Sequence, residues 1–273
     1  MKKLLYILGT VLSVVVLFSC EPGRAENGDL LFNVDEPSYD WEPRFLSEVK
    51  DSAGGNTTYS YDDANRLIEV NSTQNSASQF KFNYVSDSLI NAAVTYQDSA
   101  GIFASDFTFE YNTDKLVSKA TGIVKQGNNK VSDFIIKVEY NGNKQPSTIT
   151  STLTPVITPA DSIQTKNELG YSGDQLTTWR KIITSSGTNS DETITFEVFD
   201  NNPNGFAQLP MVYRILSTVY NEGPWAVAGF SRNNFTKITM DGESAEYTYQ
   251  YDPKKYPTEA STTGKKFTFS YKN

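Results

Sequence analysis

The side chains able to do chemistry in this chain are few, and their types exclude more than they allow. None of the 273 residues is a histidine. That removes the usual general base near neutral pH, the commonest zinc ligand and the centre of hydrolytic triads. No glycine-rich phosphate loop follows a strand pattern, and no acidic run has the spacing of a calcium loop. Glu110, Glu139 and Glu197 hold equivalent positions between apolar neighbours. Carboxylates sharing one surface are the equipment of a glycoside hydrolase, the enzyme alternative for this chain. Nothing around them raises a carboxyl pKa, and such residues also serve as ordinary members of a wet sheet face. The reading assigns no catalytic residue, no metal ligand and no cofactor. Trp41, Trp179 and Trp225 are the candidates for stacking on a sugar ring or an apolar ligand. Trp179 follows a Leu-x-x position of the kind that also points into a core.

The remaining reactive group is Cys20, the only cysteine. It closes a segment with an export signal's composition. Lys2 and Lys3 are followed by a nearly unbroken apolar run from Leu4 to Phe18, too short to span a bilayer that needs about 20 apolar residues. Leu17-Phe18-Ser19-Cys20 resembles the bacterial lipobox, in which cleavage leaves a diacylglycerol-bearing cysteine at the mature N-terminus. Phe18 departs from the small residue usual there. Acylation would remove a lone thiol that is a liability in an oxidising compartment, and two or three acyl chains anchor stably. Residues 1–19 are thus read as a signal peptide. Residues 20–43, rich in acidic residues, Pro and Gly, are read as a tether with a reach of roughly 25–30 Å if flexible. Loss of Lys2 and Lys3 leaves 22 basic against 32 acidic residues, which argues against nucleic acid as a partner.

Positioning falls to the remaining residues, 44–273, read as one domain. Their recurrent unit is aromatic-x-aromatic, a polar turn, then an apolar return. Tyr59-Ser60-Tyr61 precedes Asp62-Asp63-Ala64-Asn65 and Leu67. Aromatics two apart lie on one face of a strand, and Asp and Asn bond the backbone of tight turns. The unit returns with final aromatics at Tyr84, Tyr111, Tyr140, Tyr171, Tyr251 and Tyr271, spaced 20 to 31 residues over most of the chain. Polar residues between the rings describe antiparallel strands with one dry face. The reading is an all-β up-and-down meander, curled or closed into a barrel because a long sheet with open edges is sticky. Strand runs shorter than the roughly 9–11 residues of membrane strands put the apolar face inward. Leu209, Val212, Tyr213, Leu216, Val219 and Tyr220 recur at helical spacing, with Gly223-Pro224 as the stop. That helix, near 210–220, is expected to cover an open end or edge of the sheet, or to act as a lid over a ligand cavity.

The segment from Tyr59 to Leu67 resembles the YD repeat of large secreted shell proteins, with Asn65 where glycine is usual. The order Asn202-Pro203, then a helix, then Ser231-Arg232-Asn233-Asn234, then Tyr247 to Thr258 is similar to a family of small lipoproteins of unknown function from Bacteroides-type bacteria with a porin-like fold. The resemblance covers about Arg44 to Tyr271 and implies fold and location; the family has no established catalytic residues to carry over. The expectation is a lipid-anchored binding or structural module at the outer membrane, on its periplasmic or cell-surface face, with a glycan or protein partner. A carrier of an apolar ligand inside the barrel is the further alternative. With Cys20→Ser, incorporation of a palmitate analogue and recovery in the membrane fraction are both expected to disappear. Undiminished labelling of that variant would place the acyl chain elsewhere.

Overall fold

Alternation of aromatic and polar residues produces strands through most of the chain. The computed structural model describes residues 41–73, 78–85, 88–98, 100–220 and 223–272. The expected signal peptide, Cys20 and all of the expected tether before Trp41 lie outside the described residues. The first strands are β1 (Leu46–Asp51), β2 (Asn56–Tyr61), β3 (Leu67–Ser72), β4 (Ser78–Val85), β5 (Ser88–Asp98) and β6 (Gly101–Tyr111). They continue as β7 (Val117–Gln126), β8 (Asn129–Tyr140), β9 (Pro146–Pro155), β10 (Ile163–Ser172), β11 (Gln175–Ser185) and β12 (Thr188–Pro203). The last are β13 (Asn233–Met240), β14 (Glu243–Glu246), β15 (Thr248–Tyr251), β16 (Pro257–Thr262) and β17 (Lys265–Tyr271).

All pairings are antiparallel, and β1 pairs with both β2 and β17, so the meander returns on itself. One seam departs from simple closure. β14 and β15 are two halves of one run broken at Tyr247; the first half pairs with β13 and the second with β16. The result is the expected all-β meander, a nearly closed barrel whose described residues form seventeen strands and one α-helix; β5 to β12 run 10 to 16 residues, longer than the short runs expected from the alternation. Inward positions carry the core, among them Leu67, Val70, Phe80, Phe107, Ile136, Ile149 and Leu176, all fully buried.

Several hairpin turns repeat one piece of chemistry. Oδ1 of Asp62 accepts the backbone N–H groups of Ala64 and Arg66, at 3.0 and 2.9 Å. Asn112 does the same for Asp114 and Leu116, and Asn141 for Asn143 and Gln145. The fourth turn residue takes positive φ: Asn65 at 61°, Lys115 at 62°, Lys144 at 60° and Lys255 at 68°. Register shifts by a residue at Tyr61, Tyr84, Tyr111, Tyr140, Tyr171 and Tyr251, so the last aromatic of each unit sits at a bulge. Four of the unit-ending tyrosines reach a carbonyl of the neighbouring unit with the hydroxyl. Tyr61 donates to the Leu46 carbonyl, Tyr84 to Leu67, Tyr140 to Val117 and Tyr271 to Pro257, at 2.7 to 3.0 Å. These turns ring one end of the barrel, where the chain also enters at Trp41. The turns after β1, β7, β11, β13 and β16 ring the other.

A barrel of roughly sixteen or more strands encloses more space than wall side chains can fill. The connection between β12 and β13 enters that space. Gly205–Gln208 forms a short 3-10 turn, then α1 (Met211–Tyr220) runs down the lumen, and Pro224–Ala226 and Ala228–Phe230 lead back. Every α1 residue from Met211 to Thr218 is buried, the polar Arg214, Ser217 and Thr218 included. The helix falls where its spacing predicts, but it does not cover an edge, because the wall surrounds it on all sides. The Tyr213 ring packs against Tyr59, Phe80 and Phe82, and Tyr220 against Phe80, Tyr96, Phe107 and Phe134.

Asn112→Ala removes an acceptor for two backbone donors, and Tyr140→Phe removes one link between units. Each is expected to cost about 1 kcal/mol, measured from urea unfolding midpoints at unchanged slope. Midpoints indistinguishable from wild type in both variants would show that this turn and this tyrosine link contribute nothing to stability.

Candidate functional site

The helical plug does not fill the lumen. A cavity of about 730 Å³ remains between α1, its return segment and the wall formed by β1 to β3 with Tyr247 and β17. That volume falls within the several hundred cubic ångströms usual for small-molecule sites. Its sides differ in chemistry. On one side, Thr57 and Ser72 face inward on paired strands with their hydroxyls 2.9 Å apart, beside Tyr59. Tyr213, Ser217 and Tyr220 present the helix; residues three and four apart share a helix face. On the other side Trp225 is the hub of an aromatic block, its ring centroid 5.0 Å from Phe235 and Phe267 and 5.8 Å from Tyr247. Ring pairs at such distances form rigid apolar walls.

The opening lies at the end of the barrel opposite the chain entry, between the β1–β2 and β16–β17 turns. Asp51, Ser52, Ala53, Gly264 and Lys265 border it. Asp51 is committed to its own turn, accepting the N–H groups of Ala53 and Gly55 at 2.8 Å.

Asparagines hold the plug in place. The Asn204 side chain accepts the Phe206 N–H and donates to the carbonyls of Ala228 and Ser231, closing the neck of the insertion. Asn234 donates to Asp200 and to the carbonyls of Asn202 and Pro203. Ser231 accepts the Leu176 N–H at 3.0 Å. The Asn202-Pro203 and Ser231 to Asn234 segments therefore fasten the neck. Arg214 donates from Nη1 to the Gly229 carbonyl at 2.9 Å. A Cβ on Gly229 would lie 2.8 Å from the Arg214 Cδ and the Phe206 carbonyl oxygen, so glycine is required for this close approach.

The residues singled out from sequence do not converge. Trp179 is 3 % exposed, with Nε1 donating to the buried Asn167 at 2.9 Å. Trp225 alone of the three tryptophans lines the cavity. Trp41 lies under the Arg232 guanidinium, 5.0 Å from its ring, at the chain-entry end. Glu110, Glu139 and Glu197 all lie on the outer face of the wall. Glu110 pairs with Lys119 at 2.7 Å, and Glu197 pairs with Lys237. Hydrogen bonds from Lys237 and Thr239 hold the Glu197 carboxyl below the usual range, the opposite of what a general acid needs. Further ion pairs cover the outside, including Lys125 with Asp106, Arg180 with Asp191 and Glu168, and Lys266 with Glu259.

The cavity residues Thr57, Ser72 and Ser217 were not candidates from sequence. Their signal is small polar residues at inward positions of otherwise apolar strands and of α1, visible once the inward register is known.

These features define an antiparallel barrel plugged through its lumen, with a cavity beside the plug. In fold it is similar to the crystal structure of a porin-like protein from Bacteroides vulgatus ATCC 8482, with a TM-score of 0.50 at 12% identity over 84% of this chain and 99% of that one. A porin-like protein from Bacteroides uniformis ATCC 8492 aligns with a TM-score of 0.45 at 15% identity over 86% of this chain and 100% of that one. No family model and no curated protein matches the chain.

Burial raises the phenol pKa of Tyr59, Tyr61, Tyr140, Tyr220 and Tyr271 well above the ordinary 10.0. A group raised in the folded state adds stability that is complete below its unfolded pKa and is lost as pH climbs towards the folded value. The barrel is therefore expected to lose stability progressively above about pH 10. Absorbance at 295 nm should then rise together with loss of the near-ultraviolet dichroism. Free titration of these phenols in a still-folded barrel would contradict their burial.

Proposed function

We propose that this chain is an exported, lipid-anchored barrel that holds a small molecule in its lumen without transforming it. The cavity of about 730 Å³ beside the plug carries this reading. A module serving structure alone has no need of an open space lined on one side by hydroxyls and on the other by aromatic rings. The exported, anchored location rests on the signal-like N-terminus and Cys20, in line with the lipoprotein resemblance in the order of the later motifs. The outer wall agrees with it. Membrane-spanning barrels carry an apolar band about 25 Å tall, whereas ion pairs such as Lys119–Glu110 and Arg180–Asp191 stand on this wall. Acyl chains on Cys20, rather than the barrel, then supply membrane attachment at the outer membrane. A glycosidase is disfavoured because Glu110, Glu139 and Glu197 lie outside the cavity, on the solvated face. A glycan stacked on surface tryptophans is disfavoured because Trp179 is in the core and Trp41 already stacks on Arg232.

The neutral fluorophore N-phenyl-1-naphthylamine is expected to brighten on titration with the wild-type protein. The response is expected to vanish in Ser72→Trp, which projects a large ring from the inward face of β3 into the opening. Absence of any response in the wild type, or an equal one in a folded Ser72→Trp variant, would sink the lumenal reading.

A further inference from the structure

One cation stands at the cavity mouth, on the strand that carries the aromatic wall inward. Three charged residues line the cavity: Arg214 is buried on the helix and donates to the Gly229 carbonyl, which leaves Lys265 and Asp51 at the mouth. One oxygen of the Asp51 carboxylate, Oδ1, accepts two N–H groups of its own turn. Lys265 has no ion-pair partner among the described residues. It is exposed at the start of β17, and its side chain falls on the same face of the strand as Phe267 and Phe269, two and four residues further on. Phe267 and Phe269 point into the lumen, within 5.0 and 5.9 Å of the Trp225 ring. One strand therefore lays out, from mouth to interior, an ammonium in water, then a ring at the cavity wall, then the core. Next to it, Ser52 at the mouth donates its N–H to the Lys266 carbonyl, so the turn bearing Lys265 is tied to its neighbour.

We propose that the lumenal ligand is an amphiphile with a single anionic headgroup, bound body first, its apolar part against Trp225, Tyr247 and Phe267 and its headgroup at the mouth beside Lys265. The proposal rests on the lumenal reading and adds the class of ligand and its direction of entry. A headgroup held at the mouth keeps its hydration, so the charge is not stripped of water on binding. The apolar body supplies most of the affinity by leaving water. Lys265 discriminates acid from neutral analogue, through an exposed and salt-screened contact. Fatty acids and aromatic carboxylic acids share this chemistry and differ only in the body.

The test is displacement of N-phenyl-1-naphthylamine by matched pairs: decanoate against 1-decanol, and 2-naphthoate against 2-naphthol. In the wild-type protein the acid of the better-binding pair is expected to compete about three- to ten-fold more tightly than its neutral partner. The gap is expected to narrow with added salt, and the better pair identifies an aliphatic or an aromatic body. Lys265→Met, at an exposed position whose loss leaves the core intact, is expected to bring acid and alcohol to parity while the alcohol's affinity stays unchanged. Equal competition by acid and alcohol in the wild type overturns the anionic headgroup and leaves the lumenal site standing. A preference that persists in Lys265→Met overturns the placement of the headgroup at the mouth. Failure of the fluorophore itself to bind removes the lumenal reading together with this inference.

Discussion

A seventeen-strand wall has to be filled from inside. Strand number sets circumference, and the side chains of such a wall do not meet across the middle. Left empty, the lumen would hold water against Phe80, Phe107, Ile136 and the other inward residues, and their burial would be lost. The chain meets this constraint by feeding one connection into the space. Leu209, Met211, Val212, Ile215, Leu216, Val227 and Phe230 complete the core from within, each worth about 1.5–3 kcal/mol when fully buried. The buried face of the wall and the plug each depend on the other for cover. This makes the neck asparagines Asn204 and Asn234, far from any reactive group, central to the structure. They satisfy backbone groups where the chain leaves the wall, at a place without a ladder partner.

Much of this arrangement is legible in the sequence because its physics is local. Aromatics at every second position mark the dry face. Asp62, Asn112, Asn141 and Asp252 mark the turns because their side chains do the turn's bonding. The helix shows through the spacing of Leu209 to Tyr220. What is not local is not legible. Lys115, Lys144 and Lys255 adopt a backbone conformation that only the surrounding turn imposes, and lysine gives no sign of it. The closing strand β1 contributes Leu46 and Val49 to the core without an aromatic pair, so nothing marks it as the partner of β17. On an ordinary surface helix Arg214, Ser217 and Thr218 would face water. Here the wall encircles them, and amphipathicity says which residues are polar, not what lies opposite.

The candidate site is less legible still, because it is a volume and not a motif. The aromatic side is built from the same Tyr and Phe positions that fill the core elsewhere, and Tyr247 and Phe267 cannot be told from Phe80 and Phe107 by spacing. Only the route of the plug leaves space beside the one pair and closes it beside the other. The charged outer wall belongs to the same division of labour. Its exposed ion pairs contribute little individually to stability, but they keep the outside wet and confine apolar surface to the interior.

The chain enters the barrel at Trp41 to Leu46, among the Asx turns, and the mouth opens at the far end. On the attachment proposed at Cys20, the full height of the barrel would separate the point of attachment from the point of access. A ligand arriving through the aqueous phase would meet the aperture directly, while one leaving a bilayer would first travel the length of a hydrophilic exterior.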